Sequence, residues 1–191
     1  MNYSVPILFI IFKRDYTAIQ VFERIRQIKP RKLYVSADGP RDETERAACD
    51  KTREIIKGID WDCELHVRFK EDNLGCKYGP YESISWFFEH EQEGVILEDD
   101  CVPDFSFFPF MEEMLDRYRD DNRVGMIAGH TDVTLPLPTS YVFSRFKSCW
   151  GWATWKRAWE LMDLELKNHD YRKEVAPLMV YDQRRLPHWL T

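Results

Sequence analysis

Gly94-Val95-Ile96-Leu97 runs without alternation straight into Glu98-Asp99-Asp100, and this junction restricts the fold more tightly than any other stretch. A short apolar run with two β-branched residues suits a strand covered on both faces, the condition of a parallel sheet packed between helices. In open sheets of that kind ligands bind beyond the carboxyl ends of the strands, which is where the three acids fall. Adjacent carboxylates repel one another and resist ionising unless a cation or a set of donors compensates them. Mg²⁺ or Mn²⁺ does so most directly, since a hard ion prefers oxygen ligands and keeps positions open for substrate phosphates. The plainer alternative is a solvated triplet or a cap for the next helix; a cap needs one acid, and this strand supplies three. On an extended backbone Glu98 and Asp100 share a face and Asp99 takes the other.

The rest of the chain keeps the same rhythm. Pro6 to Phe12 is a continuous apolar run and predicts a central first strand. Asp15 and Thr17 are placed to cap a helix in which Ile19, Phe22, Ile25 and Ile28 recur before Pro30 stops it. Leu33-Tyr34-Val35 predicts a second strand, with Ser36 to Arg41 as the loop at its carboxyl end. Asp42 with Glu45 resembles a capping box for a charged helix whose inner face holds Ala48, Thr52, Ile55 and Ile56. Cys63 to Phe69 alternates, as a half-exposed strand does. Glu71 to Gly79 reads as a polar loop, and the residues up to His90 as a helix with Tyr81, Ile84, Phe87 and Phe88 inward. Strand and helix in turn make βαβ units with right-handed crossovers. Beyond the acids, Ser106 is placed to cap a helix carrying Phe107, Met111, Met114, Leu115 and Tyr118. Val124 to Ala128 and Tyr141 to Phe146 predict further strands, the second a candidate for antiparallel pairing. The tail from Asn168 to Thr191 shows neither cap nor strand, and the expectation is a fold incomplete at its C-terminus.

A length of 191 residues suits one domain, and 44% apolar with 31% charged residues is a globular composition. The net charge of -6 argues against a grip on nucleic acid. Five cysteines without a CxxC pair read as reduced thiols, which predicts a cytoplasmic protein rather than a disulfide frame or a zinc site. The run Val5 to Phe12, closed by Lys13-Arg14-Asp15, is too short to span a bilayer and has no basic segment before it, so no integral membrane segment is expected. HExxH, Walker, GxSxG and post-strand GxGxxG patterns are all missing, which sets aside zinc hydrolases, P-loop kinases, serine hydrolases and Rossmann dehydrogenases.

Other strand ends carry polar groups that can converge on the acids. Arg14 and Lys77 suit a diphosphate, and Asp38 can accept hydrogen bonds from a base or ribose. Each also has an ordinary reading, as surface charge, loop lysine and turn former beside Gly39. Trp150 can stack on a sugar ring or base while Gly151 permits close backbone approach. Trp152, Trp155 and Trp159 fall at helical spacing, and Trp155 and Trp159 read as packing.

Taken in order, the segments Lys13-Arg14-Asp15, Ser36-Ala37-Asp38-Gly39-Pro40, Asn73-Leu74-Gly75, Leu97-Glu98-Asp99-Asp100 with Pro103 to Phe108, and Trp150-Gly151-Trp152-Ala153-Thr154-Trp155 resemble a known group. It is the GT-A nucleotide-sugar glycosyltransferases, within them the N-acetylglucosaminyltransferase I-like family and its bacterial relatives, matched over about Pro6 to Trp159. The resemblance implies an α/β fold of GT-A type, Rossmann-like, with a mostly parallel sheet flanked by helices. It implies one domain over 1–191, with a donor-binding half at 1–129 and a partial acceptor-side region at 130–191. Asp100 matches the last acid of a DxD-like motif that holds Mn²⁺ (or Mg²⁺) against the donor diphosphate, and Glu98 and Asp99 match the acids near the donor sugar and ribose. Arg14 matches an arginine near the diphosphate, and Asp38 an aspartate that recognises the base; Lys77 lies at a further donor contact, with a different residue type. The implied partners are a nucleotide-diphosphate sugar, a UDP-sugar, and an acceptor glycan, lipid or protein.

The general base of such relatives lies in an acidic and aromatic motif downstream of the tryptophans. Here the nearest acids are Asp170 and Asp182, the candidate catalytic residues for an inverting transfer. Two alternatives stay open: a donor-binding module without transfer activity, and a metal-dependent nucleotidyltransferase, which would release pyrophosphate.

Overall fold

A computed structural model describes residues 3–130, 139–145 and 147–167. The chain divides into two compact units, Met1–Glu160 and Leu161–Thr191. In the second, the described residues 161–167 contain a turn closed by the Leu166 N–H on the Asp163 carbonyl at 3.1 Å.

The first unit is a mixed α/β fold around one sheet. Strands β1 (Ile7–Ile11), β2 (Lys32–Ala37), β3 (Glu64–Phe69) and β4 (Glu93–Glu98) are parallel, while β6 (Trp152–Trp155) runs antiparallel to both β4 and β5 (Ile127–Ala128). The spatial order is β3-β2-β1-β4-β6-β5. Helices α1 (Asp15–Ile28), α2 (Glu43–Arg53), α3 (Gly75–His90), α4 (Phe107–Tyr118) and the short α5 (Lys156–Trp159) complete it.

Alternation along the strands divides the core into two layers. Ile7, Phe9 and Ile11, with Leu33, Val35, Val95, Leu97, Ala153 and Trp155, pack with Phe22 and Ile25 of α1 and Met111 and Leu115 of α4. Leu8, Tyr34, Ile96 and Trp152 point the other way, toward Ile84, Phe87 and Phe88 of α3. The non-alternating runs in β1 and β4 are therefore apolar because both faces are covered. From β1 the chain steps outward to β2 and β3, then α3 carries it back across the other face to β4 beside β1. The order reverses between β1 and β4, the position where open sheets leave a crevice beyond their carboxyl ends.

Several expected elements change at their ends. Neither Asp15 nor Thr17 caps α1: Arg14 is the N-cap residue without a side-chain bond, and Asp15 is the first helical residue, where an acid suits the helix dipole. Lys29, in the left-handed region at φ 50°, ends that helix ahead of Pro30. Asp42 does cap α2, accepting from the Thr44 and Glu45 N–H groups at 2.9 and 3.2 Å. Ser106 makes no capping bond to α4; Asp104 takes the Ser106 N–H and hydroxyl at 2.9 and 2.7 Å. In β3 the apolar residues Leu65 and Val67 are the exposed ones, because this is the outermost strand.

Three further expectations are corrected. Residues 141–145 form no strand; Tyr141 is instead held by its side chain, hydroxyl to hydroxyl with Tyr118 at 2.7 Å and beside Phe110. Trp152 and Trp155 lie on a strand, and the three- and four-residue spacing reaches Trp159 only by crossing into α5. Lys77 belongs to the first turn of α3 and not to a loop.

The start of β4 leaves no room for growth. A Cβ on Gly94 would lie 2.3 Å from the Phe87 ring and 2.9 Å from the Pro6 carbonyl oxygen. Gly94→Ala is expected to cost about 1–3 kcal/mol of stability through overpacking, read as a lower guanidinium midpoint at unchanged slope.

Candidate functional site

The acids sit at the reversal point. β4 ends at Glu98, and the Cys101 N–H donates to the Glu98 carbonyl at 3.1 Å, closing a turn that contains Asp99 and Asp100. The turn cancels the alternation expected for an extended chain. Asp99 and Asp100 do not face apart; both meet Arg14, which leaves the carboxyl end of β1 and pairs one guanidinium nitrogen with Asp99 and the other with Asp100 at 2.7 Å.

The two partners of Arg14 differ in setting. Asp99 is buried and also accepts the Phe12 N–H at 3.0 Å, so it ties the ends of the two central strands together. The Asp100 side chain keeps 42% of its surface and that of Arg14 53%. Lys13, before Arg14 in the chain, pairs instead with Glu45 at 2.5 Å. Burial raises the Glu98 carboxyl above its ordinary range, and Asp100 and Asp99 add to the shift while Arg14 opposes it. Burial also raises Asp99, against the hydrogen bond from Arg14. The Cys101 thiol is pushed up to about 12 by burial and by Asp100 and Glu98, so it stays protonated and donates to Asp100 at 3.6 Å. Arg14 thus pairs directly with Asp99 and Asp100, and the raised Glu98 carboxyl follows first from its burial and then from its two acidic neighbors.

Glu98 and Asp100 offer oxygen donors of the kind that Mg²⁺ and Mn²⁺ take. Among the described residues no group of three or more His, Cys, Asp or Glu side chains could hold a metal ion. The acids therefore fit such an ion in donor chemistry but do not cage it, and a phosphate ligand would have to complete its shell.

Asp38, beyond the end of β2, does a different task. Its carboxylate accepts the Gly39 N–H at 3.1 Å, the Leu74 N–H at 2.9 Å, the Gly75 N–H at 2.9 Å and the Asn73 amide at 3.1 Å. It thereby satisfies the first donors of α3, and this is why the helix begins at Gly75. Gly39 is obligatory here, since a Cβ would meet the Glu71 carbonyl oxygen at 2.4 Å. Asn73, which sequence reading marked only as part of a resemblance, closes the loop by donating to the Gly39 carbonyl at 2.7 Å.

Lys77 is exposed, its ammonium 5.1 Å from the center of the Tyr78 ring. Gly151 has φ 71°, the left-handed region, and Trp150 before it is 60% exposed. His130, which no sequence motif singles out, lies 4.9 Å from Trp150 ring to ring. The strand register across β5 and β6 is the signal that brings them together. Asp170 and Asp182 lie outside the described residues. The five cysteines are free, as expected, and among the described residues no helix is long and apolar enough to cross a membrane.

No protein-family model matches this sequence, and neither does any curated protein. Among solved structures, 4-diphosphocytidyl-2C-methyl-D-erythritol synthase from Anaerococcus prevotii DSM 20548 is similar with a TM-score of 0.48 at 9% identity, over 79% of this chain and 71% of that one. A likeness of that extent does not bear on activity.

Two outcomes follow from the geometry. Raised carboxyls in the folded chain hold protons that the unfolded chain releases, so Glu98 and Asp99 make metal-free stability fall as pH rises from the ordinary carboxylate range through their raised values. Glu98→Gln should flatten part of that decline, measured as denaturation midpoints between about pH 4 and 7. Asp38→Ala strands several backbone donors and is expected to cost about 1–3 kcal/mol, with loss of amide-exchange protection at Leu74 and Gly75.

Proposed function

We propose that this chain is a glycosyltransferase that takes the sugar of a nucleotide-diphosphate donor, a UDP-sugar, and passes it with inversion to an acceptor hydroxyl. The observation that carries the reading is the placement of Arg14 across Asp99 and Asp100 in the crevice where strand order reverses. A diphosphate laid there meets a guanidinium able to form paired charge-assisted hydrogen bonds, and meets acids that need further positive charge.

In this reading Arg14 stabilises the charge that develops on the leaving diphosphate, and buried Asp99 holds the guanidinium in place. Asp100, exposed in its turn, is the residue that would hold Mn²⁺ or Mg²⁺, with Glu98 beside it. Such an ion, when bound, supplies Lewis-acid compensation for the diphosphate. The filled carboxylate of Asp38 serves the base end of the donor by fixing the 73–75 loop, and Lys77 in the first turn of α3 adds an exposed cation. Asp170 and Asp182 are the candidates for accepting the acceptor's proton.

Calorimetric titration with UDP tests the reading. Binding is expected to weaken about tenfold or more, about 1.4 kcal/mol, when Mn²⁺ is withheld. Asp100→Ala should abolish that difference, and Arg14→Ala should weaken UDP with or without the ion. Turnover of UDP-sugars should release UDP. Equal affinity with and without metal, or release of pyrophosphate from a nucleoside triphosphate, overturns the assignment.

A further inference from the structure

β3 (Glu64–Phe69) is the end strand of the sheet on the β2 side, and among the described residues no strand pairs with its outer edge. The Glu64 and Lys70 N–H groups donate inward, to the Arg31 and Ala37 carbonyls at 2.8 and 2.9 Å. Backbone groups alternate along a strand, so Leu65, Val67 and Phe69 turn their N–H and C=O groups outward. Neither Pro nor Gly interrupts this edge. Leu65 and Val67, in register with Leu33 and Val35, are 38% and 41% exposed on one face. On the other face His66 stacks on Tyr34 with ring centers 4.4 Å apart and meets Glu64 at 2.9 Å.

Charge changes sign at the middle of this stretch. Asp62 and Glu64 come before His66, and Arg68 and Lys70 come after it at the same spacing. Arg68 and Lys70 share one acid, Glu82 of α3, at 3.4 and 2.6 Å, so the basic end keeps a surplus. A strand with this order is complementary to its own reverse.

We propose that β3 is the interface of a homodimer, in which two copies pair antiparallel about a twofold axis at His66. Asp62 then faces the partner's Lys70, Glu64 faces the partner's Arg68, and Leu65 faces the partner's Val67. The outward backbone groups of Leu65 and Val67 make the hydrogen-bonded pairs, and the exposed apolar face becomes continuous across the junction. Competing registers fit less well. Centering on Val67 sets Asp62 against the partner's Asp72, and centering on Leu65 leaves only 64–66 within both strands. Parallel pairing opposes acid to acid and base to base. Since the second copy's strands run the other way, the two acid-bearing rims open at opposite ends of one extended sheet. β2 and β1 separate β3 from β4, so the dimer does not depend on the glycosyltransferase reading.

Sedimentation velocity on the full chain, up to about 0.2 mM, tests the proposal, with dimer expected to grow with concentration. Glu64→Arg and Arg68→Glu each set like charges opposite one another at two symmetric pairs, and each should raise the dissociation constant about tenfold or more. An equimolar mixture of the two variants should recover a heterodimer, and the double variant Glu64→Arg/Arg68→Glu should recover a homodimer. Amide exchange at Leu65 and Val67 should slow as the parent protein is concentrated. A chain that stays monomeric over that range overturns the proposal; slow exchange at Leu65 and Val67 in such a monomer assigns the cover of this edge to the chain's own residues. A dimer that neither single variant weakens, or that mixing the two does not restore, overturns it as well.

Discussion

The grip of Arg14 on Asp99 is the interaction on which the rest of the rim depends. It joins the carboxyl ends of the two central strands with a charge pair, one partner of which is buried, and the Phe12 N–H adds a second tie between the same strands. Buried charge is tolerated only when paired and hydrogen-bonded, so this junction has little freedom to rearrange. Asp100 shares the guanidinium but stays accessible, and Glu98 is held above its ordinary range by burial first and then by the two acids beside it. The three acids thus differ in setting: Asp99 is buried and fixed, Glu98 is partly buried, and Asp100 is open to solvent.

That division follows from topology. The chain winds outward from β1 and then returns to β4 beside it, so the carboxyl ends of these two strands lie side by side and each leads into a helix of the same layer, α1 and α4. The loop after β2 is fixed separately. Asp38 accepts from one neighboring N–H and from the 73–75 segment, and the Arg53 guanidinium donates to the Asp38 and Lys70 carbonyls at 3.2 and 2.6 Å. At two strand ends, therefore, an aspartate is fixed by backbone N–H groups, Asp38 after β2 and Asp99 after β4, and Asp99 in turn holds Arg14 after β1.

Much of this was legible in the sequence because it rests on simple patterns. The unbroken apolar runs of β1 and β4 report double coverage, Asp42 reports a helix start, and three acids after a buried strand report a charged rim at its carboxyl end. What escaped was decided by tertiary contacts. Nothing local shows that a turn bonds Cys101 back to Glu98 and so swings Asp99 and Asp100 onto one arginine. The tryptophan spacing mimics a helix, but Trp155 is drawn into a strand by pairing with Glu93 and by burial against α4. Lys77 joins a helix because Asp38, far back in the chain, satisfies that helix's first donors. His130 gains its neighbor only through cross-strand register, which single-sequence patterns do not encode.

The hydrogen bond from Gly129 to Gly151 has an evolutionary reading as well. It pins the chain just after β5 to the chain just before β6. Where both ends of a connection are fixed in this way, each doubling of its length costs only about 0.6 kcal/mol in closure entropy. Changes of length between β5 and β6 can therefore accumulate in descendants of this chain while Arg14, Asp99 and the central strands keep their register.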